Sequence, residues 1–206
     1  MISVLDYGVG NVGSVIRMIE HVGGDAVRIT LPEEILSAEK IIIPGVGSFD
    51  YGMSRLISHQ LLPALNRVFS DKCIPVLGIC LGMQLFCRSS EEGVLPGLGW
   101  INADVQKFSS ETLNDLRIPH MGWNTVSVIR DNPLLPFSTD DRRFYFVHSY
   151  KVVCTDISDA VMLTNYGGDF VSAFQRENIF GVQFHPEKSH RFGIELMRNF
   201  LRYGVA

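Results

Sequence analysis

Short, largely apolar segments alternate with helical patterns through the first half of the chain, and this alternation restricts the fold more than any other sequence feature. The apolar segments are Ile2–Leu5, Ala26–Thr30, Ile41–Ile43 and Ile74–Gly78. Helical patterns lie between them, at about Val12–Val22, Pro32–Ala38, Phe49–Ile57 and Gln60–Phe69. Short strands without polar alternation are buried on both faces, so the pattern predicts a mostly parallel sheet with helices on both sides.

The pattern changes after about Gly93, where β-type segments follow one another with little helix between them. These segments are Gly97–Phe108, Asn124–Ile129, Phe144–Val153, Val161–Tyr166, Val171–Gln175 and Ile179–Phe184. A final helix is predicted at Ser189–Tyr203, where Phe192, Leu196 and Phe200 share one face. With no internal repeat and no linker-like segment, residues 1–206 are expected to form one α/β domain whose sheet gains partly antiparallel strands.

Charge and composition restrict where such a domain works and what it binds. The 206 residues carry 18 Lys and Arg against 22 Asp and Glu, a formal net charge of −4. Because no excess positive charge is available to hold a phosphate backbone, nucleic acid is not an expected partner. No segment resembles a signal peptide or reaches the roughly 18–20 apolar residues of a membrane-spanning helix. Four cysteines without a C-x-x-C pair are typical of reduced thiols, and the expected location is cytoplasmic.

Residues Gly78–Gly82 (Gly-Ile-Cys-Leu-Gly) form the most informative motif, because they lie between an apolar strand and a helical pattern. This is the cysteine version of the nucleophile elbow, in which a sharp strand-to-helix turn exposes the central side chain at the carboxyl edge of the sheet. Flanking glycines let neighbouring backbone pass closely. We therefore predict Cys80 as a catalytic nucleophile. The other cysteines (Cys73, Cys87, Cys154) lack this setting and are interpreted as structural.

A thiol nucleophile needs a base, and His185 is the best candidate among the six histidines. It ends the apolar strand Ile179–Phe184, and His185-Pro186-Glu187 places a carboxylate two residues further on. Residues i and i+2 of an extended chain point the same way, so Glu187 can orient the imidazole. His148 is the rival candidate, but it has no acidic neighbour and is interpreted as strand packing or a lining residue.

Pro44–Ser48 (Pro-Gly-Val-Gly-Ser) also follows an apolar strand directly. A glycine-rich turn there presents backbone N–H groups at the same sheet edge. Together with the N–H of Leu81 it can form an oxyanion hole for a tetrahedral intermediate. An ordinary βα turn is the alternative interpretation.

Gly8–Gly13 satisfies the G-x-G-x-x-G pattern, with Glu33 near the position of a ribose-binding acid. By itself this motif predicts a dinucleotide-binding module. That function would leave Cys80 and His185 without a role, and chance matches are common in a chain with 19 glycines. A non-catalytic thiol sensor using Cys80 is a further alternative. No metal-ligand spacing is recognisable, and neither a metal nor a cofactor is expected.

Taken together, Pro44–Gly47, Gly78–Gln84 and Gly181–Glu187 resemble the class I glutamine amidotransferase family in order, spacing and local sequence. Three further stretches, Asp6–Asn11, Pro119–Asn124 and Tyr145–Tyr150, are similar to one branch of that family, the glutaminase subunits of imidazole glycerol phosphate synthases. The resemblance covers the whole chain and implies a flavodoxin-like, three-layer α/β fold.

The resemblance also implies roles for individual residues. Cys80 would attack the side-chain amide of L-glutamine, His185 would transfer protons, and Glu187 would orient His185. The N–H groups of Gly47 and Leu81 would hold the oxyanion after a flip of the Gly45–Gly47 peptide. The glutamine-binding positions would be Gln84, Glu92, Ser149 and Tyr150.

The partner implied by the resemblance is a (β/α)₈-barrel cyclase that forms a heterodimer with the glutaminase and consumes its ammonia. Asn11, Trp123 and Lys188 would lie near the docking face. Related amidotransferases serve surface-polysaccharide sugar biosynthesis with a similar barrel, so this alternative acceptor stays open on the sequence alone.

Overall fold

The computed structural model describes residues 1–71, 74–109, 116–137 and 141–204, and within them twelve strands form one sheet. The strands are β1 (Ile2–Leu5), β2 (Ala26–Ile29), β3 (Ile41–Gly45), β4 (Val76–Cys80), β5 (Ser89–Ser90), β6 (Ala103–Lys107), β7 (His120–Val128), β8 (Arg142–His148), β9 (Tyr150–Cys154), β10 (Ala160–Asn165), β11 (Asp169–Arg176) and β12 (Ile179–Val182). The α-helices are α1 (Val12–His21), α2 (Pro32–Leu36), α3 (Phe49–Ser58), α4 (Leu62–Asp71), α5 (Leu81–Leu85) and α6 (His190–Arg202).

The first half of the sheet has the order β2-β1-β3-β4-β12, and every neighbouring pair in it is parallel. Strands β1, β3, β4 and β12 are buried on both faces because each face is covered, whereas the edge strand β2 is mostly exposed. On one face α1 and α6 pack over Ile2, Val4 and Ile42, and on the other α3, α4 and α5 pack over Leu5, Ile41 and Ile43. The predicted three-layer arrangement with a parallel sheet is confirmed.

The second half extends this sheet with antiparallel strands, in the order β12-β11-β10-β7-β8, while β9 also pairs with β11 and β6. The prediction of one strand over Phe144–Val153 is wrong, because the ladder breaks at Ser149. On one side of the break β8 pairs with β7, and on the other β9 pairs with β6 and β11. The chain changes neighbours at Ser149, and this break lies beside the candidate site described below.

Two other predicted boundaries are also wrong. The segment Gly97–Phe108 contributes only Ala103–Lys107 to the sheet, because Trp100 and Ile101 are buried core residues in irregular backbone. Strand β7 begins at His120 rather than Asn124, since pairing with β8 continues to His120 opposite His148. Within the described ranges, no helix is long and apolar enough to cross a membrane.

Candidate active site

The carboxyl ends of β3, β4 and β12 meet at one edge of the parallel half, as parallel pairing requires. Cys80 ends β4 and directly precedes α5, with φ 55° and ψ −109°. A non-glycine residue in this region of positive φ is strained, and such strain is typical of functional sites. The geometry is that of the predicted nucleophile elbow.

The two glycines that flank Cys80 are required by close backbone approach. A Cβ on Gly82 would overlap the carbonyl oxygen of Ile43 on the neighbouring strand. A Cβ on Gly78 would lie 2.7 Å from backbone atoms of Gly82 and Met83. A side chain at Gly82 would push the turn away from β3, and one at Gly78 would push α5 away from β4, so these glycines keep Cys80 in place.

His185 and Glu187 form a buried pair at the end of β12. The Nδ1 atom of His185 lies 2.8 Å from Oε1 of Glu187, and their side chains are only 3% and 4% exposed. Burial by itself would lower the pKa of His185, but its interactions with Cys80 and Glu187 raise that pKa to about 10. His185 is therefore an imidazolium at neutral pH, with Nδ1 donating to Glu187.

The loop that carries this pair is held to β8 by two hydrogen bonds and closed by a third within the loop. The backbone N–H of His185 donates to the carbonyl of Tyr145 (2.9 Å), and the N–H of Tyr145 donates to Oγ of Ser189 (3.0 Å). The Ser189 hydroxyl in turn donates to the carbonyl of His185 (2.6 Å). Sequence reasoning missed Ser189, because its complete burial, which marks a structural hydrogen bond, is visible only in the folded protein.

A pocket of about 450 Å³ opens beside Cys80, within the usual range of small-molecule sites. Every predicted oxyanion and glutamine-binding residue lines it together with Cys80. The lining residues are Val46, Gly47, Ser48, Cys80, Leu81, Gln84, Glu92, Pro119, Val147, His148, Ser149 and Tyr150. The pocket thus has one wall from the parallel half and one from the break between β8 and β9.

Two polar side chains of the pocket are held by backbone and side-chain contacts. The Glu92 carboxylate accepts a hydrogen bond from the N–H of Phe49 (2.8 Å), at the first turn of α3. The Gln84 amide donates to the carbonyl of Tyr150 (3.3 Å) and to Oε1 of Gln183 (2.9 Å). These contacts hold a carboxylate and an amide in the lining of the pocket that also contains the thiol.

Gln183 is a site residue that sequence reasoning did not single out. Its amide lies 3.7 Å from Sγ of Cys80 and its side chain is completely buried. A polar residue inside the apolar run Ile179–Phe184, two positions before His185, is a detectable signal, because buried amides are kept where they are hydrogen-bonded.

A larger cavity of about 930 Å³ lies at the opposite edge of the sheet, lined by Met1, Lys40, Pro75 and Tyr203 among others. None of the predicted site residues borders it. The Lys40 ammonium there is engaged by the carbonyl oxygens of Phe200 and Leu201, so it closes the end of α6. The smaller pocket is the better candidate because it is lined by the strained Cys80 and by every predicted oxyanion and glutamine-binding residue. His185 and Glu187 are not part of this lining, but His185 interacts with Cys80.

The predicted docking residues fall into two groups. Trp123 is 39% exposed, stacks on His190 with ring centroids 5.2 Å apart, and lies edge-on to Tyr145. The ammonium of Lys188 lies 5.5 Å from the centroid of Tyr145, so these residues form one surface cluster. Asn11 lies on the loop after β1, where its side chain caps α1 by accepting from the N–H of Ser14 (3.0 Å).

The glycine-rich loop Gly8–Gly13 packs closely against other parts of the protein. A Cβ on Gly8 would lie 2.6 Å from the Arg55 guanidinium, and one on Gly10 would lie 3.1 Å from backbone atoms of Pro44 and Gly45. Gly8 and Gly10 are therefore explained by packing of this loop against α3 and the β3 turn. Among the described residues, no three His, Cys, Asp or Glu side chains cluster as a metal site requires.

Comparison with known proteins identifies the family. The profile described as glutamine amidotransferase class-I matches residues 3–203. The chain belongs to the class I glutamine amidotransferases. It is 51% identical over 202 residues to the imidazole glycerol phosphate synthase subunit HisH 2 of Methanococcus maripaludis, covering 98% of this chain and 99% of that protein. The subunit of the same name from Pseudomonas aeruginosa is 48% identical over 201 residues, covering 98% of each.

Solved structures support the fold of this amidotransferase. One described as PurLQS from Thermotoga maritima superposes with a TM-score of 0.74 at 19% identity, covering 98% of this chain and 97% of that chain. A second, described as a glutamine amidotransferase, gives a TM-score of 0.74 at 16% identity, covering 98% and 97%. The predicted flavodoxin-like fold is thereby confirmed.

The remaining cysteines of the amidotransferase differ from Cys80 in their surroundings. Burial raises the pKa of Cys154 to about 12 and raises that of Cys87 well above its ordinary value. Both thiols are therefore protonated at neutral pH and unsuited to nucleophilic attack. Cys73 lies outside the described residues.

Proposed function

We propose that this chain is the glutaminase subunit of an imidazole glycerol phosphate synthase, hydrolysing L-glutamine and passing ammonia to a (β/α)₈-barrel cyclase. The observation that carries the chemistry is the interaction of the strained Cys80, which lines the pocket, with the buried His185–Glu187 pair at the end of β12. The acceptor is supported by full-length relatives named as HisH subunits of that synthase. Residues 1–206 form a single amidotransferase domain in this proposal.

The first half-reaction forms a thioester. The Sγ of Cys80, as thiolate, attacks the side-chain amide carbon of glutamine, and the N–H groups of Gly47 and Leu81 hold the resulting oxyanion. The His185 imidazolium donates its Nε2 proton to the amide nitrogen. The C–N bond then breaks and neutral ammonia leaves. The raised pKa of His185, about 10, keeps this proton available at neutral pH.

The second half-reaction releases glutamate. Neutral His185 removes a proton from water, and the hydroxide formed attacks the thioester carbon. The C–S bond breaks, which restores the Cys80 thiolate and the His185 imidazolium. The new carboxyl group loses its proton to water, so the sum is glutamine plus water to glutamate, neutral ammonia and one proton. Glu187 holds Nδ1 of His185 through both halves, so the ring keeps Nε2 toward the reacting atoms.

Polar groups around the pocket suit the ends of an amino acid. Glu92 supplies a negative charge for the α-ammonium, and the Ser149–Tyr150 backbone with Gln84 supplies hydrogen bonds for the polar atoms of glutamine. The pocket is therefore complementary to a free amino acid with an amide side chain.

In this proposal the cyclase docks at the Trp123 cluster, defined as Trp123, Tyr145, Lys188 and His190, which lie in contact with one another. Exposed Met121 continues it along β7 toward Val147 and Pro119, which line the pocket. Asn11 lies on a second loop, after the parallel strand β1. Exposed apolar area beside a catalytic pocket suits a partner that takes up a product before water protonates it.

The test is a Cys80→Ala variant assayed with the barrel cyclase and its nucleotide substrate. Glutamine-dependent synthesis is expected to disappear while synthesis from added ammonium continues at the wild-type rate. A diazo-ketone analogue of glutamine is expected to add one label to the wild-type chain, located at Cys80 by peptide mass spectrometry.

The matched control is Cys154→Ala, which removes a thiol outside the pocket and is expected to keep both activities and the label. Loss of ammonium-dependent synthesis in Cys80→Ala would mean that Cys80 supports the fold of the complex rather than the chemistry. A wild-type chain that stays unlabelled in the presence of the cyclase and its ligand would contradict the proposed function.

A further inference from the structure

Two buried histidines, His120 on β7 and His148 at the end of β8, lie directly opposite each other in the ladder. Neither takes part in the proposed half-reactions. Nδ1 of His120 lies 2.9 Å from Nε2 of His148, and both residues are almost completely buried. A direct contact between two imidazoles requires that one nitrogen donate and the other accept, so their protonation states are restricted.

The partners at both ends of this contact determine its direction. Nδ1 of His148 lies 2.7 Å from the carbonyl of Tyr150, which can only accept, so His148 carries its proton on Nδ1. Its Nε2 atom must then accept from Nδ1–H of His120. At the other end, the amide nitrogen of Asn124 lies 3.1 Å from Nε2 of His120 and donates to it.

Asn124, the first donor in this series of hydrogen bonds, is itself held in place by two further contacts. The second amide hydrogen of Asn124 goes to the carbonyl of Asn165 (2.9 Å), and its Oδ1 accepts from the N–H of Thr125 (2.8 Å). The amide cannot be turned over without losing both contacts. Hydrogen bonds therefore run in one direction, from Asn124 through His120 and His148 to Tyr150.

An aromatic cage keeps both rings neutral. His120 stacks between Phe146 and Tyr166, with ring centroids 4.7 and 4.0 Å away, while Phe108 and Phe170 each lie 5.3 Å from His148. Burial lowers the pKa of His120 to about 4 and that of His148 to about 3. The neutral form is essential, because an imidazolium has no nitrogen that can accept a hydrogen bond, and protonation would therefore interrupt the series from Asn124 to Tyr150.

The series of hydrogen bonds ends at Tyr150, which lines the pocket. The Tyr150 carbonyl accepts from His148 and also from the Gln84 amide, which is shared with Gln183, whose own amide faces Sγ of Cys80. A displaced Tyr150 carbonyl would therefore move Gln84 and the wall formed by Ser149 and Tyr150. The break in strand pairing at Ser149 leaves this carbonyl dependent on side-chain donors.

We infer that His120 and His148 are positioning residues for glutamine binding: their hydrogen-bonded chain holds the Tyr150 carbonyl, and through it the Gln84 and Gln183 amides, in the geometry that accepts substrate. This inference rests on the proposed glutaminase function. It assigns the histidines no proton transfer in the reaction.

The variants His148→Phe and His120→Phe keep an aromatic ring and remove the donors. With the cyclase and its ligand present, each is expected to raise the KM for glutamine about tenfold, the typical cost of unmaking a buried hydrogen bond, while kcat changes less than about threefold. His148→Asn places an amide N–H near the position of Nδ1 and is expected to restore much of the affinity. The control His21→Asn, at the exposed end of α1, is expected to leave KM and kcat unchanged.

Nitrogen-15 NMR of the wild-type chain gives a readout that does not depend on any variant folding. Both histidines are expected as neutral rings protonated at Nδ1. A proton on Nε2 of His148, or an unchanged KM in both Phe variants, would overturn the inference. A fall in kcat and thermal stability with KM unchanged would also overturn it, as a purely structural role. A wild-type complex without glutamine-dependent activity would instead contradict the proposed function. The NMR measurement of the His120 and His148 tautomers would still test the direction of the hydrogen bonds from Asn124 to Tyr150.

Discussion

The two walls of the pocket are built by different means. The wall from the parallel half, at Cys80 and Gly47, is shaped by backbone packed against backbone, since Gly82 touches the Ile43 carbonyl and Gly78 touches the α5 backbone. The wall from the antiparallel half, at His148–Tyr150, follows a break in strand pairing and is held by side-chain hydrogen bonds. The first wall leaves no space for a side chain at Gly78 or Gly82, whereas the second depends on the protonation state of its hydrogen-bond donors.

Each half of the sheet also contributes one buried histidine near the site, and the two carry different charges. His185 faces a carboxylate and a thiol, so its pKa rises to about 10 although burial opposes this. His148 faces a neutral imidazole and a carbonyl inside an aromatic cage, so burial prevails and its pKa falls to about 3. Burial alone therefore does not decide the charge of an imidazole. The groups that face its two nitrogens do.

The largest expected effect comes from adding one methyl group to the backbone-built wall. Gly82→Ala places a Cβ on the Ile43 carbonyl oxygen, and we expect a loss of about 3 kcal/mol or more in the free energy of unfolding. Urea unfolding followed by circular dichroism measures it. The control is Gly13→Ala in α1, where the nearest atom is 3.5 Å from the new Cβ. This control is expected to gain up to about 1 kcal/mol. Equal stability of the two variants would mean that the elbow can shift.

The second prediction concerns the charge on His185. Glu187→Gln removes an interaction that favours the imidazolium, so the His185 pKa is expected to fall below its wild-type value of about 10. Glutaminase kcat of the complex is expected to drop about 10²-fold or more. NMR titration of the imidazole carbons follows the pKa, and His21 in the same spectra serves as an exposed reference.

The sign of the accompanying stability change follows from linkage. The folded-state pKa of His185 lies above the ordinary value of about 6.5. Its contribution to stability is therefore fully present below about pH 6.5 and is lost as the pH rises toward 10. Glu187→Gln should lose less stability than wild type over this interval. A steeper loss in the variant would contradict a charged His185 in the resting protein.

The smallest expected effect comes from variants of Asn11, which distinguish its role as the cap of α1 from its predicted role in docking the cyclase. Asn11→Ala removes the cap on the Ser14 N–H and is expected to cost about 1 kcal/mol of stability, whereas Asn11→Asp keeps an acceptor and most of that stability. Thermal unfolding of both variants measures the cap. Cyclase affinity is then compared between Asn11→Asp and wild type. Unchanged affinity would assign Asn11 to the helix cap alone and remove it from the docking face.

The sequence by itself determined the parallel half and its chemistry, because the signals there are local. Apolar strands ending in Pro44–Gly47 and Cys80 specify both the strand and the turn after it, and parallel pairing then brings them to His185 at one edge. The antiparallel half was predicted less well. Phe144–Val153 has continuous β-type composition, and only its neighbours β6, β7 and β11 decide that it breaks at Ser149.

Tertiary structure alone decided which polar residues meet. His120 and His148 lie 28 positions apart, and their contact exists because β7 and β8 pair in a register that local sequence does not encode. Gln84 and Gln183 lie 99 positions apart and meet because β4 and β12 are neighbours. Local sequence specifies backbone conformation through sterics at glycine and proline. Charge state and hydrogen-bond direction depend on groups brought together from distant parts of the chain, and therefore only the folded protein defines them.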